Sequence, residues 1–330
     1  MKKVIIFNIF VVSSLFLVLE LSLRFFFKIN PQGISEGIIS TEISKVRFNN
    51  ENVVEGKIFG ERVFTDKNGF RITEKKSGES NNNQDIYFVG GSVTFGSGIK
   101  QSKTFSGILD NRFKNLNIHN SSVMGSNLKN NYSILKTKVK KEKLKEVFIN
   151  FSFDDIENIQ IVNIKKDNTN SLKETSLVKK LKNIKFFKKI NHFMRSKSVT
   201  YVWIKGSLFN SGKHYYQNAL DSFKSNENLN QMKLVLDRIH KMNQDLENKI
   251  SFIIIPYHEQ IQDSNCNFQD SGEKIIINEL KKRNFDIINF KPVFCNDKDR
   301  KDLFLKLDPS HLSEIGHRKV ADYLETKLIK

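Results

Sequence analysis

From residue 84 to the end of the chain, short apolar runs alternate with longer segments in which apolar residues recur at helical spacing. The short runs lie at 86–89, 147–151, 252–256 and 287–288, and residues 117–121 are predicted as a weaker, more polar strand. The segments with helical spacing lie at 104–113, 128–144, 228–246, 275–282 and 313–328. Strands that alternate with helices form a mostly parallel sheet covered on both faces. The pattern therefore predicts an α/β fold that binds its ligand beyond the carboxyl ends of the strands.

The N-terminus carries an apolar run from Val4 to Leu23, with lysines before it and Arg24 and Lys28 after it. About 20 apolar residues are needed to cross a bilayer, and the run has no small-residue cleavage site of a signal peptide. We therefore predict that residues 1–28 are an uncleaved signal anchor and that the large domain is periplasmic or on the cell surface. The flanking charges are nearly balanced. The alternative is a buried core helix of a cytosolic protein.

Two further segments complete the predicted organisation. Residues 29–83 form a membrane-proximal lead-in that ends in the polar linker 77–83, and residues 84–330 form the main domain. Within that domain, 160–225 is a Lys-rich segment that we predict to be a helical insertion. The net charge is +18, but the lysines are scattered and no nucleic-acid-binding motif is present, so we predict no nucleic-acid partner. The basic cluster at 173–189 suits an amphipathic helix at a membrane surface or an ordinary surface helix.

The first segment with chemical potential is Gly90-Gly91-Ser92, which directly follows a predicted strand. Glycines allow a sharp turn, so Ser92 is expected at the carboxyl edge of the sheet. Position 94 is Thr, so this is not the G-x-S-x-G turn of α/β-hydrolases. The segment also lacks the Gly-Lys-Ser/Thr of a phosphate-binding loop.

The second segment is Asp308-Pro309-Ser310-His311, which precedes a helix that Ser313 can cap. A carboxylate three residues before an imidazole can accept its Nδ1 proton, which leaves Nε2 to take a proton from a serine. A serine hydroxyl needs such a base to act as a nucleophile. Ser92, Asp308 and His311 are therefore the candidate catalytic residues.

Taken together, these segments resemble the SGNH (GDSL-like) hydrolases over roughly residues 60–330. The family's first block, Gly-Asp-Ser, here reads Gly-Gly-Ser at 90–92, and its closing block is matched by Asp308, His311, Gly316 and His317. The lead-in 68–71 (Asn-Gly-Phe-Arg) is similar to that of membrane-anchored bacterial members. The resemblance implies a flavodoxin-like three-layer α/β/α fold and a serine esterase that acts on small acyl groups, such as acetyl on an envelope glycan or lipid. It implies no cofactor.

The resemblance also implies an oxyanion hole, formed by the backbone N–H of Ser92, the N–H of Gly125 and an asparagine side chain. At the asparagine's place the chain has Asp154, followed by Asp155. An ionised carboxylate cannot donate a hydrogen bond. Burial beside Asp155 could keep Asp154 protonated, an amide could come from Asn127 or Asn158, or the protein could be weakly active or inactive.

Three functions therefore stay open: an esterase, an O-acetyltransferase that uses the same three residues, and a non-catalytic envelope protein that binds glycan or protein. Among the other histidines, His258 could line the cleft and His317 is expected to be a packing or surface residue. No metal-ligand cluster is apparent in the sequence. Cys266 and Cys295 can form a disulfide if the domain lies outside the cytoplasm.

Overall fold

The computed structural model describes residues 2–41, 46–54, 56–74, 83–156, 185–209, 211–262, 266 and 270–329. In these ranges the helices are α1 (Lys2–Phe25), α2 (Ser92–Phe95), α3 (Phe105–Arg112), α4 (Leu128–Lys138), α5 (Lys185–Lys197), α6 (Val199–Phe209), α7 (Ser211–Asp221), α8 (Asn226–Asp245), α9 (Ser271–Lys281), α10 (Lys291–Cys295) and α11 (Glu314–Leu328). The strands are β1 (Ile39–Thr41), β2 (Arg47–Asn49), β3 (Gly56–Ile58), β4 (Glu61–Thr65), β5 (Arg71–Ile72), β6 (Gln84–Val89), β7 (Leu116–Asn120), β8 (Leu144–Asn150), β9 (Ile250–Ile254) and β10 (Asp286–Asn289).

Eight of the described strands form one sheet, in the order β10-β9-β8-β6-β7-β5-β4-β3. The five strands from β6 to β10 are parallel to one another. If these five strands are numbered 1 to 5 in chain order, their order across the sheet is 2-1-3-4-5, which is the flavodoxin-like order. The predicted α/β fold class, with a mostly parallel sheet, is confirmed.

The lead-in strands continue this sheet beyond β7. Strands β3, β4 and β5 pair in antiparallel fashion, and β5 joins β7 through the pair Arg71 and Asn120. The lead-in therefore packs as part of the same layered structure, and our division of the chain at residue 83 remains a proposal. Most of the predicted linker at 77–83 lies outside the described residues.

The core lies on both faces of the sheet because successive strand residues point to opposite sides. On one face, Tyr87 and Val89 pack with side chains of α4, α8 and α9. On the other face, Ile86 and Phe88 pack with α3 and α11. The helix predicted at 128–144 is too long: it ends at Lys138, and Leu144 begins β8 opposite Asp85. The predicted insertion is helical at 185–209 and 211–221, and its residues 160–184 lie outside the described ranges.

The N-terminal helix α1 is long and apolar enough to cross a membrane, and its apolar window is not buried. This exposure fits a signal anchor or a signal sequence, and it does not fit the alternative of a buried core helix.

Cys266 and Cys295 form a disulfide with 5.7 Å between their Cα atoms. The disulfide ties the segment after β9 to the end of α10.

Candidate active site

The candidate nucleophile, Ser92, is the first residue of α2, and Gly90 and Gly91 separate it from the end of β6. A Cβ at position 90 would lie 2.4 Å from Oγ1 of Thr94, so the turn requires glycine there. The short helix ends at Gly96, which has a φ of +83° and donates its N–H to the carbonyl of Ser92. Since the first N–H groups of a helix have no intrahelical acceptor, the N–H of Ser92 is available to a developing oxyanion.

At position 91 the chain has glycine where the motif that it resembles has aspartate, and the surroundings of this position explain the difference. A Cβ at this position would find ordinary van der Waals space, 4.0 Å from Oδ1 of Asp155. Asp155 is fully buried, and this burial and the neighbouring Asp154 raise its pKa well above the usual range. A carboxylate at position 91 would lie beside this buried acid, and the two groups would repel each other when ionised. Glycine avoids this repulsion.

A buried arginine from the lead-in holds the other end of the nucleophile turn. The Arg71 guanidinium donates to the carbonyl oxygens of Phe95, Gly96 and Ile99. Its charge also lies over the Phe95 ring, 4.7 Å from the ring centroid. Burial lowers the pKa of Arg71 to about 9. We recognised the segment 68–71 in the sequence only as a family feature, and the structure gives its arginine a direct role in supporting the turn.

Asp308 and His311 lie in contact on the turn before α11. Nδ1 of His311 is 2.8 Å from each oxygen of the Asp308 carboxylate. The backbone N–H groups of Ser310 and His311 also donate to Oδ1 of Asp308, at 3.0 and 2.8 Å. Burial favours the neutral acid, but the charge and hydrogen bonds of His311 outweigh it and lower the pKa of Asp308. The carboxylate therefore fixes the imidazole tautomer and orientation.

The electrostatics of His311 involve two carboxylates. Burial disfavours the imidazolium, but Asp308 outweighs this effect and the pKa of His311 is raised above its ordinary value. Asp154 contributes in the same direction. The residue in the asparagine's place is therefore near enough to the imidazole to influence it electrostatically.

The Nε2 atom of His311 is buried and has no hydrogen-bond partner within the described part of the chain. The hydrogen bond between Ser92 and His311 is therefore not formed in this structure. Catalytic hydrogen bonds are often long without substrate and tighten in the reacting complex. The Phe59 ring packs edge-on against the imidazole, with 5.0 Å between centroids. Phe59 comes from the lead-in, and no local sequence pattern indicated its place in the site.

Asp154 accepts two phenol hydrogen bonds. Tyr215 donates to Oδ2 at 2.6 Å and Tyr257 donates to Oδ1 at 3.1 Å. Burial and the Asp154 charge raise the pKa of Tyr257 well above 10, so this phenol stays protonated and acts as the hydrogen-bond donor. Of the two neighbouring aspartates, Asp155 is the fully buried one, and burial together with the Asp154 charge raises the pKa of Asp155 well above its usual range.

The other predicted oxyanion donors have different surroundings. Gly125 has a φ of +64°, and its carbonyl accepts a hydrogen bond of 3.1 Å from Arg47. The positive φ favours glycine at this position, and an added Cβ would lie 2.3 Å from the same Arg47 nitrogen, so the arginine side chain would have to move. Oδ1 of Asn127 caps α4 by accepting the N–H of Asn130 at 3.0 Å. Asn158 lies outside the described residues.

Two other histidines are accounted for. His258 lines a cavity of about 270 Å³ with Asp308 and Pro309, and burial lowers its pKa. His317 is fully buried, and its Nδ1 accepts the backbone N–H of Phe105, the first residue of α3, at 3.2 Å. His317 therefore has a packing role. In the part of the chain that the structure describes, no group of three His, Cys, Asp or Glu side chains could hold a metal ion.

Neither a protein-family model nor a curated protein matches the sequence. Solved structures that are similar in fold include the acetyl xylan esterase AlAXEase, at 15% identity and a TM-score of 0.44, over 74% of this chain and 98% of that one. A G-D-S-L family lipolytic protein from Veillonella parvula is similar at 14% identity and a TM-score of 0.40, over 73% and 97% of the chains. A catalytic mutant of an acetylxylan esterase from Geobacillus stearothermophilus is similar at 13% identity and a TM-score of 0.41, over 73% and 92%. These neighbours are lipolytic proteins and esterases of the kind whose motifs this chain resembles, and the fold assignment itself rests on the strand order of the sheet.

Proposed function

We propose that this protein is a membrane-anchored serine esterase with Ser92 as nucleophile, His311 as base and Asp308 as the carboxylate that orients the base. The observation that carries the proposal is the contact between Asp308 and His311, which leaves Nε2 buried and unpaired within the described residues. A buried imidazole with one nitrogen fixed and the other unpaired is arranged to accept a proton. Ser92 follows β6, and Asp154, whose charge acts on His311, follows the adjacent strand β8.

In the proposed reaction, His311 removes the hydroxyl proton of Ser92 as the oxygen attacks an ester carbonyl. The oxyanion is stabilised by the backbone N–H groups of Ser92 and Gly125. His311 then returns the proton to the leaving alcohol, and water hydrolyses the acyl-enzyme by the reverse sequence of proton transfers. Each step is acyl transfer, and the charge that develops on His311 is stabilised by Asp308.

We infer that the substrate is a small acyl ester, such as an acetyl group, on a glycan or lipid of the cell envelope. The resemblance of the motifs at 90–92 and 308–311 supports a small acyl group. The helix α1 and the disulfide between Cys266 and Cys295 support a location at the cell envelope, because structural disulfides persist mainly outside the cytoplasm.

Hydrolysis of p-nitrophenyl acetate by the full chain in detergent, from pH 5 to 9, tests the proposal. Ser92→Ala should reduce turnover to background, whereas Ser102→Ala changes an exposed serine away from the turn and should leave turnover unchanged. A fluorophosphonate probe should label the wild type and the Ser102 variant but not the Ser92 variant. Turnover or labelling that survives in Ser92→Ala would overturn the assignment of the nucleophile.

Asp154 favours a second candidate, a catalytically weak or inactive protein that binds glycan or another envelope protein. Both carboxylate oxygens accept phenol hydrogen bonds, and a carboxylate at this place would repel an oxyanion. Absence of both turnover and probe labelling would support this candidate. Labelling of Ser92 without hydrolysis would instead indicate an O-acetyltransferase that requires its own donor and acceptor.

A further inference from the structure

Helices α5 and α6 form a hairpin, here called the α5–α6 hairpin, that is both basic and apolar. Between residues 185 and 209 the sequence has six Lys or Arg residues and no Asp or Glu. Large apolar side chains are exposed on both helices, namely Ile190, Phe193, Trp203, Ile204 and Leu208. A basic hairpin that exposes apolar side chains has the composition of an element that lies in a membrane interface.

The hairpin is held against the end of the N-terminal helix. The Glu20 carboxylate accepts the backbone N–H groups of Val199 and Thr200 at 2.8 Å each, so it caps the start of α6. One turn later along α1, Arg24 donates to the carbonyl of Lys197 at 2.6 Å. A carboxylate at a helix N-terminus satisfies N–H groups that have no other intrahelical acceptor.

Apolar contacts accompany the hydrogen bonds of Glu20 and Arg24. Leu23 and Ile29 at the end of α1 form a buried cluster with Val199 and Val202 of α6. Because Val199 and Val202 face α1, Ile204 and Leu208 lie on the other side of the helix and are exposed. The exposed apolar side chains of the hairpin therefore lie beside the C-terminal end of α1 and extend the apolar surface of that helix.

The hydrogen bonds of Glu20 and Arg24 with the start of α6 limit how far the hairpin can lie from the end of α1, and therefore its depth in a bilayer. If α1 spans the hydrocarbon core, its last turn, which carries Glu20 and Arg24, lies at the membrane surface. Trp203 is four residues after Val199, or about 6 Å along a helix. The headgroup region on each side is on the order of 5–7 Å thick, and tryptophan is enriched there.

We propose that the α5–α6 hairpin lies in the headgroup region of a bilayer that contains acidic phospholipids, with Trp203, Ile204 and Leu208 in contact with the lipid. The inference rests on the proposed anchoring by α1 and is independent of esterase activity. Acidic lipids fit because the hairpin carries basic residues without acidic ones. Continuity with α1 favours lipid over a second copy of the chain.

The hairpin also contacts the catalytic turn. Gly206 packs against Leu307, where an added Cβ would lie 3.1 Å from the leucine Cβ. Gly212, at the start of α7, lies against Pro309 in the same way at 3.7 Å. The hairpin itself makes the contact at Leu307 and the following helix α7 makes the one at Pro309, on either side of Asp308, so an interfacial hairpin would hold the catalytic turn close to the membrane surface.

Trp203 is the chain's single tryptophan and therefore reports on this surface without labelling. The test uses the full chain in phosphatidylcholine vesicles with about one third phosphatidylglycerol, with and without lipids brominated on their acyl chains. We expect bromolipid to quench Trp203 emission by about half and aqueous iodide to quench it little, since an interfacial tryptophan lies within reach of the upper acyl chains. Efficient iodide quenching without bromolipid quenching would overturn the proposal, and so would protection from both quenchers, which would indicate coverage by protein.

A matched reporter on another face controls for non-specific quenching. Trp203→Phe combined with Leu234→Trp moves the reporter to an exposed position on α8, where iodide but not bromolipid should quench. Lys189→Glu with Lys197→Glu should reduce bromolipid quenching of Trp203 in acidic vesicles, whereas Lys281→Glu on α9 should not. Equal effects of the two sets of charge changes would contradict the role of acidic lipid. Flotation of the vesicles after carbonate washing measures the anchoring by α1 separately, so failure of the anchor and failure of the hairpin proposal are distinguishable.

Discussion

The hydroxyl of Tyr215 donates a 2.6 Å hydrogen bond to Asp154, the residue at which the resemblance of the sequence motifs led us to expect an asparagine. Tyr257 donates to the other carboxylate oxygen. Both oxygens of Asp154 therefore act as acceptors, which is the arrangement of a carboxylate and not of a neutral donor. Tyr215 belongs to the insertion, so this unusual site is built jointly by the insertion and the loop after β8.

We predict that Asp154→Asn increases the esterase kcat/KM by about tenfold to a hundredfold. The change replaces a charge that opposes the oxyanion with an amide that can donate to it, and one such donor is typically worth 10²–10³ in rate. The measurement is p-nitrophenyl acetate hydrolysis at saturating and limiting substrate. Tyr215→Phe, which keeps the Asp154 carboxylate, should give no such increase. A loss of activity in Asp154→Asn would show that the carboxylate itself is needed.

The same variant should move the acid side of the pH–rate profile. His311 must be neutral to act as a base, and its pKa is raised chiefly by Asp308, with a further contribution from Asp154 that opposes burial. Activity is therefore expected to fall as the pH drops through this raised pKa. Removal of the Asp154 charge lowers the pKa of His311, so the acid limb should shift to lower pH. The kcat/KM profiles of the two proteins check this, and a shift toward alkaline pH would contradict the assignment of His311 as the base.

The contact between Asp308 and His311, which the sequence predicted, is a local one. Asp308 and His311 are three residues apart and Ser313 caps the following helix, so their arrangement depends on a few backbone angles. The parallel direction of the strands followed from the alternation of elements, because strands that are joined by a helical crossover pair in parallel, whereas their order across the sheet did not follow from it.

The parts that the sequence did not predict depend on contacts between distant segments. Phe59 reaches His311, and Tyr215 reaches Asp154, through packing that leaves no periodic or spacing signal near either residue. The pairing of β5 with β7 was missed for the same reason, since β5 is only two residues long. The helix predicted at 128–144 was too long because residues 140–143 contain no glycine or proline to mark its end, although Leu144 already belongs to β8.

We predict that Cys266→Ser with Cys295→Ser lowers the free energy of unfolding by about 3–4 kcal/mol. The two cysteines are 29 residues apart, and closing a loop of this length removes about that much conformational entropy from the unfolded chain in the chain-entropy description. Denaturant unfolding of both proteins in the same detergent, followed by circular dichroism, gives the difference. Reduction of the wild type should reproduce the effect of the double substitution. Equal stabilities would mean that the crosslink constrains little of the unfolded ensemble.

The last prediction concerns His317, whose burial lowers its pKa from 6.5 to about 3. Its Nδ1 accepts the N–H of Phe105, which an imidazolium cannot do. Because the folded pKa is the lower one, the unfolded chain binds the extra proton between about pH 6.5 and 3, so this residue makes stability fall as the pH decreases through that range. Each pH unit corresponds to about 1.4 kcal/mol at most.

His317→Asn removes the titration, so the free energy of unfolding should depend less steeply on pH below 6.5 than in the wild type, with the two curves converging by about 2 kcal/mol between pH 6.5 and 4.5. The asparagine should lower stability at pH 7, because it leaves a cavity where the imidazole packed. His214→Asn on the exposed face of α7 is the control and should leave the slope unchanged. Denaturant unfolding at pH 7, 6, 5 and 4.5 measures the slopes. Parallel curves for wild type and His317→Asn would show that His317 takes up its proton without opposing the fold.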